Sequence, residues 1–259
     1  MERSIESRRN FTAQSLGSLL TFSLLETLCS CDLLADEIRP NVNHWLAGVN
    51  QLGLDLKGEK LEQTAWQQKI EQLMAQVSMP DLLSLIDFDR LAANVSFAER
   101  GERSLRFSFP KVDGVPNELS FGKQIFALKK GRSVVPHGHN NMATAFLILK
   151  GDLRGRHYQR IKDEPGAGDE GGHMIIEPTV DRNFTIGECS TVSDFKNNVH
   201  WFQAVTEPAF IFNLHILDIN PASKLAPARV YVDPHGEKLA GGLTRARVIG
   251  YKEANQLYG

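Results

Sequence analysis

Apolar residues recur at three- and four-residue steps across residues 41–95 and at two-residue steps beyond residue 100, which predicts a helical region followed by a β region. After Pro40, the positions Val42, Trp45, Leu46, Val49 and Leu52 make one helical stripe, and Trp66, Ile70, Leu73, Met74 and Val77 make a second. Pro80 and Asp81 suit the first turn of a short helix carrying Leu82, Leu85 and Ile86, whose buried face Phe88 and Leu91 continue. These stripes read as packing surface rather than as chemistry.

Past Ala98, Leu105, Phe107 and Phe109 alternate with Ser104, Arg106 and Ser108, so strands are expected to begin there. Short apolar segments follow between turn signals, at residues 124–128, 133–135, 144–149, 174–176, 199–205 and 210–217. Many short strands without long helices between them argue for a sandwich or barrel over residues 100–259. The glycine-rich, acidic stretch 163–172 reads as a loop between two halves of that barrel. The tail, with Val230, Tyr231, Val232, the run Asp233-Pro234-His235-Gly236 and the pair Gly241 and Gly242, reads as a further strand or hairpin without chemistry.

Composition narrows the function classes. With 42% hydrophobic and 23% charged residues the chain is too rich in core-forming side chains for disorder. Its 29 basic and 31 acidic side chains leave a formal charge of −2, without the basic field that nucleic-acid binding requires, so a small molecule is the expected partner. Cys29, Cys31 and Cys189 make neither a disulfide framework nor a CxxC pair, and Cys189 reads as a small buried hydrophobe. Within residues 1–35, the run from Ser7 through Arg8 and Arg9 to Thr12, followed by a mostly uncharged stretch, resembles a twin-arginine export signal. Export to the periplasm is the expectation this sets, and an amphipathic helix that stays attached is the alternative. Exposed barrel edges and the helical extension suit a homodimer.

The candidate chemistry centres on His137 and His139. Residues two apart on a strand project to one face, so both imidazoles can reach one ion, and His200 in a later apolar strand is a third candidate ligand. Neutral imidazole suits Fe, Zn, Ni and Cu(II) alike.

The frame around these histidines resembles the first cupin motif: a glycine, five residues, His-x-His, three or four residues, a glutamate, six residues and a closing glycine. Gly131, His137, His139, Thr144 and Gly151 stand at those spacings, with Thr144 in the glutamate's place. The second motif is matched in part. His200 fits its histidine, Asn197 stands where a turn glycine is usual, Phe195 replaces its proline and Ala204 its asparagine. The resemblance implies a mainly β, double-stranded β-helix or jelly-roll barrel with an N-terminal helical region, and a metal held by His137, His139 and His200.

Without the glutamate, the likeness narrows toward thiol dioxygenases of the cysteine dioxygenase type, in which three histidines hold Fe(II). It covers residues 120–217. The segment 206–209 and the following 213–217 are similar to that family's strand after the third ligand, where a Ser-x-His-x-Tyr array lies close to the iron. Asn213 stands in the serine's place, His215 matches the histidine, and Leu217 replaces the tyrosine. The resemblance thus implies Fe(II), with Zn, Mn or Ni as alternatives, and dioxygen with a small thiol or related metabolite as substrates. It also implies His215 and Asn213 as the residues acting on them.

His215 reads equally as a hydrogen-bonding group beside the ion or as a core histidine satisfied by carbonyls. Lys123, Arg154 and Arg156 are candidate partners for a substrate carboxylate. His157 lines the pocket or faces solvent, and His44, His173 and His235 are expected at the surface. A Lewis-acid cupin isomerase or lyase, and a cupin that only binds a ligand, are the alternative functions.

Overall fold

In the computed structural model residues 42–259 are described; the twin-arginine segment, Cys29 and Cys31 lie outside the described residues. The two long apolar stripes form α1 (Val42–Lys57) and α2 (Gln63–Gln76), and two short helices follow, α3 (Met79–Leu85) and α4 (Phe88–Ala93). Then come the strands β1 (Arg103–Leu105), β2 (Gly122–Leu128), β3 (Ser133–Asn140), β4 (Met142–Lys150), β5 (Leu153–Asp163) and β6 (His173–Phe184). They continue as β7 (Cys189–Val192), β8 (Val199–Ala204), β9 (Ala209–Leu217), β10 (Ala228–Lys238) and β11 (Thr244–Val248), and α5 (Tyr251–Tyr258) follows.

One sheet has the order β1-β2-β9-β4-β7, and β10-β11-β6-β5-β8-β3 closes into a barrel through the β10–β3 pairing. The architecture is the mainly β jelly-roll barrel with an N-terminal helical region that the sequence predicts. The tail forms the expected hairpin, and its strand β10 is the one that completes the ring.

Alternation along the five-stranded sheet separates two cores. Ile125, Ala127, Phe210, Phe212 and Leu214 point outward, where Trp45, Leu46, Trp66, Ile70 and Leu73 of α1 and α2 cover them. Phe126, Phe146, Ile148 and Ile211 point into the barrel and meet Phe202. Strand β9 is buried on both faces, which is why residues 210–217 read as a continuous apolar run instead of alternating. Gln67 of α2, fully buried, fixes the helix layer to the sheet: its amide donates to Thr191 Oγ1 at 3.1 Å and its carbonyl accepts from Ser193 Oγ at 2.8 Å.

Two sequence expectations change. The strand expected through Phe109 ends at Leu105, where pairing with β2 stops. The alternation nevertheless persists beyond it, because the rings of Phe107 and Phe109 seat on Phe212 at 6.0 and 6.5 Å. The stretch 163–172 does not join two halves of the barrel; it links β5 and β6, neighbours in one sheet, and its end is tied to β11 by Gly171 N–H donating to the Val248 carbonyl at 2.9 Å.

Because Trp66 is wholly buried between helix and sheet, Trp66→Ala should cost about 3–5 kcal/mol of stability by urea unfolding. It lies on the far side of the sheet from the histidines. Metal content per folded chain should therefore stay at the wild-type level.

Candidate metal centre

His137 and His139 sit on β3 and His200 on β8, and the antiparallel register sets His137 directly opposite His200. Their ligand nitrogens all lie within 4.8 Å of one another, and all three rings are buried. Ring centroids are 4.2 Å apart for His137 and His200, 4.9 Å for His139 and His200, and 5.1 Å for His137 and His139. Between the two β3 ligands, Gly138 faces the other way. A Cβ there would meet Asn198 Oδ1 at 2.6 Å, so only glycine leaves room for what Asn198 does. The buried Asn198 amide donates to the His139 carbonyl at 2.8 Å and to the Ser193 carbonyl at 3.0 Å, clasping β3 to the turn before β8. That turn passes through Asn197 at φ 56°, the conformation expected from its place in the motif.

Local hydrogen bonds orient each ring. His137 Nδ1–H donates to the Val135 carbonyl at 2.8 Å and His200 Nδ1–H to the Asn198 carbonyl at 3.4 Å, while His139 Nδ1 lies 3.4 Å from Thr144 Oγ1. With the protons of His137 and His200 on Nδ1, their Nε2 atoms keep their lone pairs for an ion. His200 Nε2 is buried without a hydrogen-bond partner among the described residues, an arrangement that costs about 1–3 kcal/mol unless something accepts the lone pair.

Burial depresses all three pKa values, with the positive charge of Arg229 adding to the effect at His137 and His139. His139 falls to about 3, and His137 and His200 go well below the usual histidine range. All three are neutral at pH 7, as metal ligation requires. No carboxylate belongs to the group, since the motif's acidic position is the buried Thr144. Three neutral, convergent nitrogen donors with an orphaned lone pair fit a divalent transition metal.

His137 and His139 open onto a cavity of about 670 Å³, within the size range of small-molecule sites. Asn213 and His215 line its wall from β9, with His215 opposite Thr144 on one side and Gly122 on the other. A Cβ at Gly122 would collide with His215 Nε2, so the Nε2 end of the imidazole occupies space that only a glycine leaves open. His215 Nδ1 is 3.3 Å from Asn213 Oδ1, which also accepts from Gln124 Nε2 at 3.2 Å. Burial, reinforced by Arg229, lowers the His215 pKa to about 4. Leu217 borders the cavity without supplying a hydroxyl.

Of the three cations expected to meet a substrate carboxylate, Arg154 and Arg156 lie away from the cavity and Lys123 borders it. Arg154 pairs with Asp181 at 2.6 Å and Arg156 stacks 4.3 Å from Trp201, both on the outer face of β5. Lys123 borders the cavity, but its Nζ lies over the Phe107 and Phe109 rings at 5.7 and 5.4 Å, on the opposite face of β2 from Gln124. The cation beside the histidines is instead Arg229 of β10, opposite His139 in the register, from a tail that carried no signal beyond strand periodicity.

His157 is buried, opposite His200 in β8, with its ring 6.5 Å away; burial holds its pKa at about 3. His44 and His235 are exposed and His173 is half-buried. Burial likewise raises the Cys189 thiol pKa, leaving it inert.

No protein-family model and no curated protein matches the sequence. Solved structures that it resembles include a cupin superfamily protein from Desulfitobacterium hafniense, at 14% identity over 49% of this chain and 88% of that one, TM-score 0.30. They also include an oxalate oxidase in complex with the substrate analogue glycolate, at 14% identity over 52% and 56%, TM-score 0.34. A cupin superfamily sugar phosphate isomerase from Silicibacter pomeroyi matches at 17% identity over 49% and 68%, TM-score 0.30. Of the Brassica napus 11S globulin procruciferin, only 23% of the length is spanned. These low scores carry no argument about activity, which rests on the geometry.

His200→Ala or His137→Ala should abolish stoichiometric metal binding, measured by elemental analysis of purified protein; a variant that keeps one ion per chain would overturn the ligand assignment. Without metal, stability should also depend on pH. Because folded-state pKa values near 3 for His139 and His157 lie below the unfolded value near 6.5, the unfolded chain binds more protons between these limits. Stability is then complete above about pH 6.5 and falls with acidification, by up to about 1.4 kcal/mol per pH unit for each fully buried histidine. Urea unfolding of metal-free protein from pH 7 to pH 5 reads this slope, and a flat profile would contradict it.

Proposed function

We propose that this chain is a mononuclear Fe(II) dioxygenase acting on a small thiol or related metabolite, with the ion held by His137, His139 and His200. The observation that supports this most directly is a buried group of three neutral imidazoles with Thr144 where a fourth, charged ligand would stand. When bound, a ferrous ion supplies a Lewis acid with neighbouring open positions and the electrons that activate dioxygen.

The protein's own groups do the rest. Local hydrogen bonds to Val135 and Asn198 hold His137 and His200 in the ligating tautomer, so little reorganisation accompanies metal uptake. On the cavity wall, His215 is neutral near pH 7, and Asn213, itself held by Gln124, accepts its Nδ1–H. That leaves Nε2 as the proton acceptor for an acidic group of the substrate. Phe126 and Phe146 border the same cavity and limit water on that side.

Oxygen uptake by iron-loaded protein across a panel of small thiols tests the reading, with His200→Ala as control. Uptake that needs both thiol and His200 is the expected result. No uptake with confirmed iron would remove thiol oxygenation and favour Lewis-acid chemistry with Zn, Mn or Ni. A second arm uses Gly122→Ala, whose methyl displaces His215. It should keep full metal content and lose about tenfold or more in turnover if His215 handles a proton.

A further inference from the structure

The charge around the cavity narrows the ligand that it takes. Among the described residues that border it, Arg106 and Arg229 present guanidinium groups, Lys123 adds an ammonium held over the Phe107 and Phe109 rings, and no aspartate or glutamate appears. Arg229 is the inner of the two, sharing a face with His139 across the β10–β3 register. Glu102 forms a long ion pair with it at 3.9 Å, too far for a hydrogen bond, and the other Glu102 oxygen is buried without a partner among the described residues, so the guanidinium keeps its donors for a ligand. Arg106 is exposed on the segment after β1, on the polar side of the Leu105, Phe107 and Phe109 alternation, and makes no ion pair among the described residues. Its neighbour on that side, Ser104, hydrogen-bonds to Gln124, the residue that supports Asn213, so this face turns toward the cavity.

A three-histidine ligand set leaves both charges of a divalent ion uncompensated, and it does so in a cavity whose other charged groups are also cationic. Burying such charge without anions is costly, and guanidinium groups pair best with carboxylate or phosphoryl oxygens.

We propose that the cavity takes a small organic dianion, with one acidic group on Arg229 beside the histidines and the second on Arg106 at the rim. The ion's share of the positive charge rests on the function proposed above; the two arginines do not depend on it. A single-charge ligand would leave one guanidinium unmatched. The neutral polar walls, Ser108, Gln124 and Asn213, suit the oxygen-rich body between the two acidic groups.

Calorimetric titration of metal-loaded protein with succinate, its monoamide and 3-phosphonopropionate tests this, with metal content measured in every sample. A dianion should bind about tenfold or more tighter than the monoamide, and the preferred dianion tells whether the second group is carboxylate or phosphoryl. Arg229→Gln and the exposed Arg106→Gln should each erase most of that preference while the metal stays bound, and Arg229→Lys should restore part of it. Equal affinity for succinate and its monoamide, or a preference untouched by either substitution, would overturn the proposal. Wild-type protein that holds no metal yet still prefers the dianion would overturn the function proposed above and leave this inference standing.

Discussion

Three imidazoles buried within 4.8 Å of one another are tolerable only while every ring is neutral and its inward lone pair has somewhere to go. Protonating one would place a cation among apolar walls, next to Arg229. Leaving all three neutral and empty strands at least the His200 nitrogen without a partner. A divalent ion satisfies both conditions at once, and the surrounding structure is arranged to keep the rings ready for it. Backbone carbonyls of β3 and of the turn before β8 take the Nδ1 protons, and the Asn198 amide holds that turn against β3.

The helical region serves this site indirectly. Strands β2, β4 and β9 must present Gln124, Thr144, Asn213 and His215 to the interior, and the residues between them on those strands then face outward as an apolar surface. Helices α1 and α2 cover that surface with Trp45, Trp66 and their neighbours. A sheet buried on both faces holds its side chains in fixed rotamers, which keeps the polar wall of the cavity in place.

Electrostatics divides the cavity's surroundings from the outer face. On β5, Arg154 and Arg156 spend their charge on Asp181 and Trp201. Around the cavity, Arg106 makes no ion pair among the described residues and Arg229 has a long 3.9 Å pair with Glu102, and His215 stays neutral in their field. The same strand alternation that hides His157 in the interior puts these two arginines outside.

Periodicity determined the helical stripes and a β region of sandwich or barrel type, because burial on one face repeats at a period that composition alone cannot imitate, and the motif resemblance narrowed that to a jelly roll. Strand spacing also determined the pairing of His137 with His139, while the turn at Asn197 and the threonine in the acidic position were legible through the resemblance to the motif. What only the tertiary structure decided is which distant groups share the cavity. The β3–β8 register sets His200, already expected as the third ligand, directly opposite His137, and Arg229, which was not expected there, reaches His139 because β10 closes the ring, 90 residues further along the chain. Lys123, next to Gln124 in sequence, is set on the other face of β2 by the alternation of a single strand and only borders the cavity. Strand order and register are set by long-range packing and carry no local signature, so the ligand-facing cations stayed hidden until the barrel closed.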